Sequence, residues 1–263
     1  MSVQPKKHLG QHFLTDENTC RKIVEQYSNF QGANNILEIG PGMGAITKYL
    51  LDIEGTDLHV MEIDRDSVAY LNNAYPVLED KIHSDDFLKT DLSQFFEGKP
   101  YAVVGNFPYN ISSQILFHCI EYRNQIPEIM GMFQKEVAER VAEPPGSKKY
   151  GILSVLMQTY YDIKYCFTVN ENVFNPPPKV KSGVILCLRN ERTQLPVDED
   201  LYKRIIKSTF NQRRKTIRNG LKVILDVSLL PEHPFLKQRA ETLSVDDFIE
   251  LTKIVEETME NKI

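Results

Sequence analysis

Asn35-Ile36-Leu37-Glu38-Ile39-Gly40-Pro41-Gly42-Met43-Gly44 is a short, mostly apolar run that ends in a glycine-rich turn. Helical patterning follows it to about Asp52. Glycines at such a turn reach backbone angles that other residues avoid, and they let the main chain approach a ligand closely. The next β-like run, Asp57 to Glu62, ends on a carboxylate twenty residues beyond Gly42. An acid at that point can accept hydrogen bonds from both hydroxyls of a ribose. Strand, glycine turn, helix and acid-tipped second strand together predict a nucleotide-like ligand at the carboxyl ends of a parallel sheet.

The same alternation continues outward. A helix is expected from about Arg65 to Ala74, and a short strand at Lys81 to His83. Further strands are expected at Tyr101–Gly105, Glu128–Phe133, Ile163–Val169 and Gly183–Arg189, with helices at Ser112–Tyr122 and Gly151–Tyr160. This order predicts an α/β fold with a mostly parallel sheet and helices on both faces. Beyond a polar linker at Asn190 to Asp200 only helical patterns remain: about Leu201–Phe210, Lys215–Leu225 and Val245–Met259. Pro231 and Pro234 break the middle. The expected division is a Rossmann-like domain over residues 1–194 and a small all-helical domain over residues 195–263.

Composition narrows the class. With 41% hydrophobic and 25% charged residues the chain has an ordinary globular balance. Its apolar runs fall short of the roughly 20 residues a membrane span needs. The first ten residues are polar and basic, without the apolar core of a signal peptide, which predicts a cytoplasmic protein. Cys20, Cys119, Cys166 and Cys187 sit at neither metal-ligand nor redox spacing, so neither a disulfide framework nor a metal site is expected. A net charge of −5 argues against a nucleic-acid partner, but its distribution argues for one. Lys203 to Lys222 holds eight basic side chains and no acid. Unrelieved positive charge of that density is a phosphate-binding footprint, with Arg213, Arg214, Lys215, Arg218 and Lys222 as candidate RNA contacts.

Which nucleotide-like ligand the turn takes is decided by its neighbours. Gly40, Gly42 and Ala45 formally satisfy a dinucleotide fingerprint, so a nicotinamide cofactor is one option. Two features favour S-adenosylmethionine. Glu38, two residues before the first glycine, can face a cationic methionine end. Asp86, after the third strand in Asp85-Asp86-Phe87, can accept from an adenine amine, with the Phe87 ring packed on the base. The fourth strand then ends in Asn106-Phe107-Pro108-Tyr109. An exocyclic amine of adenine is a poor nucleophile because its lone pair is delocalised into the ring. Two acceptors aimed at its hydrogens, the Asn106 side-chain oxygen and the Phe107 carbonyl, favour a pyramidal nitrogen. Pro108 keeps that segment extended, and Tyr109 offers a ring on which an extruded base can stack.

With these motifs together the chain resembles the KsgA family of ribosomal RNA adenine dimethyltransferases over nearly its whole length. The resemblance begins at Lys7-His8-Leu9-Gly10-Gln11-His12-Phe13-Leu14 and includes Glu38 to Gly44, Glu62, Asp86 and Asn106 to Tyr109. It continues through Tyr150-Gly151, Phe174-Asn175-Pro176-Pro177-Pro178-Lys179-Val180 and Phe210-Asn211-Gln212-Arg213-Arg214-Lys215-Thr216. It implies transfer of methyl groups from S-adenosylmethionine, leaving S-adenosylhomocysteine, to two adjacent adenosines near the 3′ end of small-subunit 16S rRNA. It also implies a role in small-subunit biogenesis and a monomer that binds neither DNA nor membrane. Gln11, His12, Leu14, Gly40, Gly42, Glu62, Ile63, Asp86, Phe87 and Asn106 would contact the cofactor. His12 stands where the family's pattern has asparagine. Phe174 would form a second aromatic wall opposite Tyr109. A macrolide-resistance methyltransferase acting on large-subunit rRNA is the nearest rival, and the acidic pI and the Phe210 to Thr216 block count against it.

Overall fold

A computed structural model describes residues 3–261. In chain order its strands are β1 (Phe13–Leu14), β2 (Asn35–Ile39), β3 (Asp57–Met61), β4 (Ile82–His83), β5 (Tyr101–Asn106), β6 (Glu128–Gln134), β7 (Tyr161–Val169), β8 (Phe174–Asn175) and β9 (Ser182–Arg189). The helices are α1 (Glu17–Val24), α2 (Thr47–Leu51), α3 (Arg65–Ala74), α4 (Ser112–Glu121), α5 (Lys135–Ala142), α6 (Ile152–Tyr160), α7 (Glu199–Asn211), α8 (Ile217–Leu221) and α9 (Val245–Glu260). By their contacts they form two compact units. One runs to Glu139 and takes in Tyr161–Arg189; the other joins Arg140–Tyr160 to the chain from Asn190 onward. The helical unit thus includes α6, which lies before the linker at which the sequence reading divides the chain.

In the first unit seven strands run in the order β4-β3-β2-β5-β6-β9-β7. Neighbours from β4 through β6 are parallel, and β9 runs antiparallel to both β6 and β7. Residues of both parities are buried along β2 and β5, from Ile36 and Leu37 to Ala102 and Val103, so water reaches neither face of the central strands. On one face Ile36, Val60, Ala102, Val104 and Met130 join one core with Ile23 of α1, Leu50 of α2 and Leu71 of α3. Asp16 and Asp64 accept from backbone N–H groups at the starts of α1 and α3. Because β2 and β5 are adjacent and parallel, the turn after one and the tetrapeptide after the other lie at the same sheet edge.

The second unit is helical, as expected. Asp198 caps α7, accepting from Leu201 N at 2.6 Å. Leu201, Tyr202, Ile205, Ile206, Thr209 and Phe210 form its buried stripe. A reciprocal Ser244–Asp247 capping box starts α9, and Phe248 meets Phe210 at 5.9 Å between ring centroids. The helix expected over Lys215–Leu225 contracts to Ile217–Leu221, where Gly220 lets the backbone lie against Thr209. Among the described residues no helix is long and apolar enough to cross a membrane.

Candidate active site

The glycine turn has the backbone its sequence predicts. Gly40, Gly42 and Gly44 have φ of 66°, 56° and 80°, where a side chain is strained. Space is as limiting as angle. A Cβ on Gly42 would lie 2.8 Å from the Phe13 ring, and one on Gly44 would lie 2.5 Å from Tyr75. The N-terminal segment therefore lies directly over the turn. It is held there by Lys6, paired with Asp64 and, at 2.7 Å, with Asp66. The Gln11 amide donates to the same Asp64 at 3.2 Å. At its other end β1 pairs with β8, Phe13 opposite Asn175 and Leu14 opposite Phe174. Phe13 lies within the Lys7–Leu14 motif, but neither Lys6 nor Asp64 is singled out by sequence reading, although an acid two residues after Glu62 and a lysine before the glycine at 10 are both visible there.

Glu38 and Glu62 flank the turn with different electrostatics. Glu38 is fully buried, and neither of its carboxylate oxygens completes a hydrogen bond, nor does the Thr47 hydroxyl beside it. Burial pushes its carboxyl up to about 8, with Thr47 opposing the shift and Glu62 adding to it. Glu62 accepts from Gly42 N at 3.1 Å and from Asp64 N at 2.9 Å. Burial raises its pKa, and these backbone bonds oppose the rise. Each Glu62 oxygen keeps a lone pair for a further donor. Ile63 beside it is 51% exposed, an apolar surface of the kind a purine face covers.

Asn106 ends β5 with its orientation fixed. Its amide nitrogen donates to the His12 carbonyl at 3.0 Å, so the opposite atom, Oδ1, faces away from that bond. His12 enters this site through its main chain; its ring donates from Nδ1 to the Pro176 carbonyl at 2.8 Å. Phe107 N continues the ladder to Met132 O at 3.1 Å, and the Phe107 ring is buried against Phe133 at 4.8 Å. Room for that ring comes from Gly131, where a Cβ would overlap it. Phe107 can therefore act only through its backbone. Pro108 is extended at φ −55° and ψ 127°. Tyr109 begins the turn before α4, and its hydroxyl bonds to Ser182 of β9. Burial raises the Tyr109 pKa, opposed by that bond, so it acts as a neutral ring.

Two adjoining cavities share Phe13, Gly40 and Asn106. One, of about 260 Å³, includes Glu38 and Met43; the other, of about 50 Å³, includes Gln11, His12, Glu62, Ile63 and Tyr109. Leu14 lines the first and Gly42 the second. S-adenosylmethionine fits this set on two observations. The buried, unpartnered Glu38 carboxyl is a group that a cation beside it would ionise, and the Gly42 cradle has no room for a side chain. Three further expected residues are not among those lining these two cavities. Asp86 caps the turn of Phe87–Lys89 and pairs with Lys89 at 3.3 Å. The Phe87 ring is buried edge-on to His118. Phe174 is 3% exposed in the core beside Leu14.

In the helical unit the basic stretch divides in two. Arg213 donates to the carbonyls of Ser147 at 3.2 Å and Tyr150 at 3.0 Å and lies 4.0 Å from Glu241. Arg218 donates to Val227 O and pairs with Glu232 at 3.1 Å. These two arginines hold the unit together. Arg214, Lys215 and Lys222 are exposed and form no ion pair among the described residues.

Comparison with known proteins places the chain as a whole. The family described as ribosomal RNA adenine dimethylase matches residues 3–257. A relative from Flavobacterium johnsoniae, named ribosomal RNA small subunit methyltransferase A, is 55% identical over 254 residues, 97% of each chain. The fold is shared with a crystal structure of a dimethyladenosine transferase from Plasmodium falciparum. Its TM-score is 0.79 at 22% identity, covering 94% of this chain and 98% of that one. It is also shared with the 23S rRNA methyltransferase ErmE, with a TM-score of 0.68 at 21% identity over 93% and 99% of the two chains. The chain has the fold of S-adenosylmethionine-dependent methyltransferases and belongs to the ribosomal RNA adenine dimethylase family.

Proposed function

We propose that this protein transfers methyl groups to N6 of two adjacent adenosines near the 3′ end of small-subunit rRNA and thereby contributes to small-subunit biogenesis. The observation that carries this reading is the pinned Asn106 amide. Its nitrogen is committed to the His12 carbonyl, so Oδ1 is an acceptor of fixed direction beside the glycine turn. The Phe107 carbonyl, aligned by the buried Phe107 ring and by Pro108, is the second acceptor.

When bound, S-adenosylmethionine supplies an electrophilic methyl on a positively charged sulfur with a neutral leaving group. The Glu38 carboxylate balances positive charge from beneath the turn, and Glu62 receives ribose hydroxyls. Asn106 Oδ1 and the Phe107 carbonyl accept hydrogen bonds from the amine N–H groups and stabilise the charge that develops on nitrogen, which is relieved by loss of a proton to water, while Tyr109 stacks on the extruded base. Orientation and fixed dipoles account for this chemistry, and it needs no strong base. Arg214, Lys215 and Lys222 hold RNA phosphates. The protein acts as a cytoplasmic monomer on RNA, with no metal, and binds neither DNA nor membrane.

The test is a methyl-transfer assay on naked rRNA, small subunits and large subunits, with the modified base mapped. Small-subunit RNA carrying dimethylated adenosines is the expected product; methyl groups on large-subunit RNA or on another atom overturn the reading. Asn106→Ala should lower the rate by about a hundredfold, the scale on which loss of one pre-aimed polar group acts, while retaining RNA binding.

A further inference from the structure

Beyond the two cofactor cavities lies a larger groove of about 790 Å³, between the N-terminal segment and the proline run after β8. Lys7, His12, Tyr109, Pro177, Lys179 and Val180 are among its walls, and no carboxylate of the described residues lines it. Lys7 and Lys179 are exposed and form no ion pair among the described residues. Its two sides are fixed relative to each other by the His12–Pro176 hydrogen bond and by the pairing of β1 with β8.

We propose that this groove binds the nucleotide next to the target adenosine, its base on the His12 ring and the proline run and its phosphates on Lys7 and Lys179. The proposal rests on the reading of the chain as an RNA adenine methyltransferase. The His12 and Tyr109 rings are 5.4 Å apart at 30°, already in contact range, so no base enters between them. Both rings line the smaller cavity and the groove, so one aromatic surface runs from the target site into the groove. Tyr109 adjoins Asn106 in the smaller cavity, where the target amine must sit. His12 continues the aromatic surface into the groove, whose volume lies within the roughly 300–1,000 Å³ of small-ligand sites. An apolar floor with two unpaired lysines and no acid suits a stacked base flanked by phosphates. A second adenosine held here is already beside the site that its neighbour vacates.

The test uses the full chain, S-adenosylhomocysteine and a trinucleotide of adenosines with 8-azidoadenosine at one end. After irradiation the adducts are mapped by mass spectrometry. Adducts within residues 7–12 and 176–180 are expected. K7E/K179E should lower the adduct yield about tenfold and flatten its salt dependence, because two phosphate contacts are lost. S-adenosylhomocysteine affinity in that variant should match the parent. Adducts confined to other segments overturn the proposal, and so does a parent-like yield and salt slope in K7E/K179E. Methyl transfer to small subunits is measured separately. A parent that labels in the groove but transfers no methyl refutes the proposed activity and leaves the groove assignment supported. A parent that methylates but labels elsewhere refutes the groove alone.

Discussion

Asn106 and Glu38 are both polar groups in a confined site, and what each is bonded to separates their roles. The Asn106 amide is oriented by a main-chain carbonyl, whereas among the described residues no hydrogen bond reaches either Glu38 oxygen. The buried Glu38 carboxyl, raised from 4.5 to about 8, keeps a proton in the folded protein that the unfolded chain releases. Between those two values each rise in pH therefore works against the fold, and the effect levels off above the higher one. Glu38→Gln should remove that slope from the thermal stability of the ligand-free protein. A cation beside Glu38 favours the ionised form, so S-adenosylmethionine affinity should increase as pH rises toward 8. Calorimetric titration below pH 8 should record proton release that Glu38→Gln abolishes. Tyr109→Ala should cost roughly 1–3 kcal/mol of base stacking, seen in the methylation rate, while cofactor affinity is retained. A large loss of cofactor binding would instead make Tyr109 structural.

At the scale of elements, the site depends on the fit of β5 to β6. A Cβ at Gly131 would overlap the Phe107 ring and lie 2.7 Å from Gly105 O. Gly131→Ala should destabilise the fold by about 1–3 kcal/mol through overpacking, and should also displace Phe107 and slow methyl transfer. Denaturant melts read the first effect and single-turnover rates the second. The central strands are legible in sequence because β5, β6 and β9 carry near-continuous apolar runs bounded by turns, while β2 is interrupted only by Glu38 and β3 alternates through His59. Pairs as short as β1 and β8 carry no periodicity, so the N-terminal cover over the glycine turn is visible only as a motif. The reading by alternating strands also passes over α1 and α5. The chemistry of Asn106 is legible from residue type, but the atom that fixes it belongs to the backbone of residue 12, and no sequence pattern reports which carbonyl a side chain meets.

At the scale of the whole molecule, a run of charge marks a surface only after its internal duties are subtracted. Sequence treats Arg213, Arg214, Lys215, Arg218 and Lys222 alike, whereas two of them bond to backbone carbonyls of their own unit. Replacing Arg214, Lys215 and Lys222 by Ala should weaken rRNA binding and lower the slope of log K against log salt by roughly 2–3. Arg213→Ala should act differently, lowering stability by about 1–3 kcal/mol as its carbonyl partners lose their donor. A melting temperature equal to the parent's would return Arg213 to the surface set. The pairing of β1 with β8 and the His12–Pro176 bond, which joins residues 164 apart, also bear on how the protein is made. During synthesis the residues that cover the cofactor cleft emerge well before the proline run, but they cannot take their places until that run has been translated. The nascent chain is therefore without its finished cleft until the proline run has emerged.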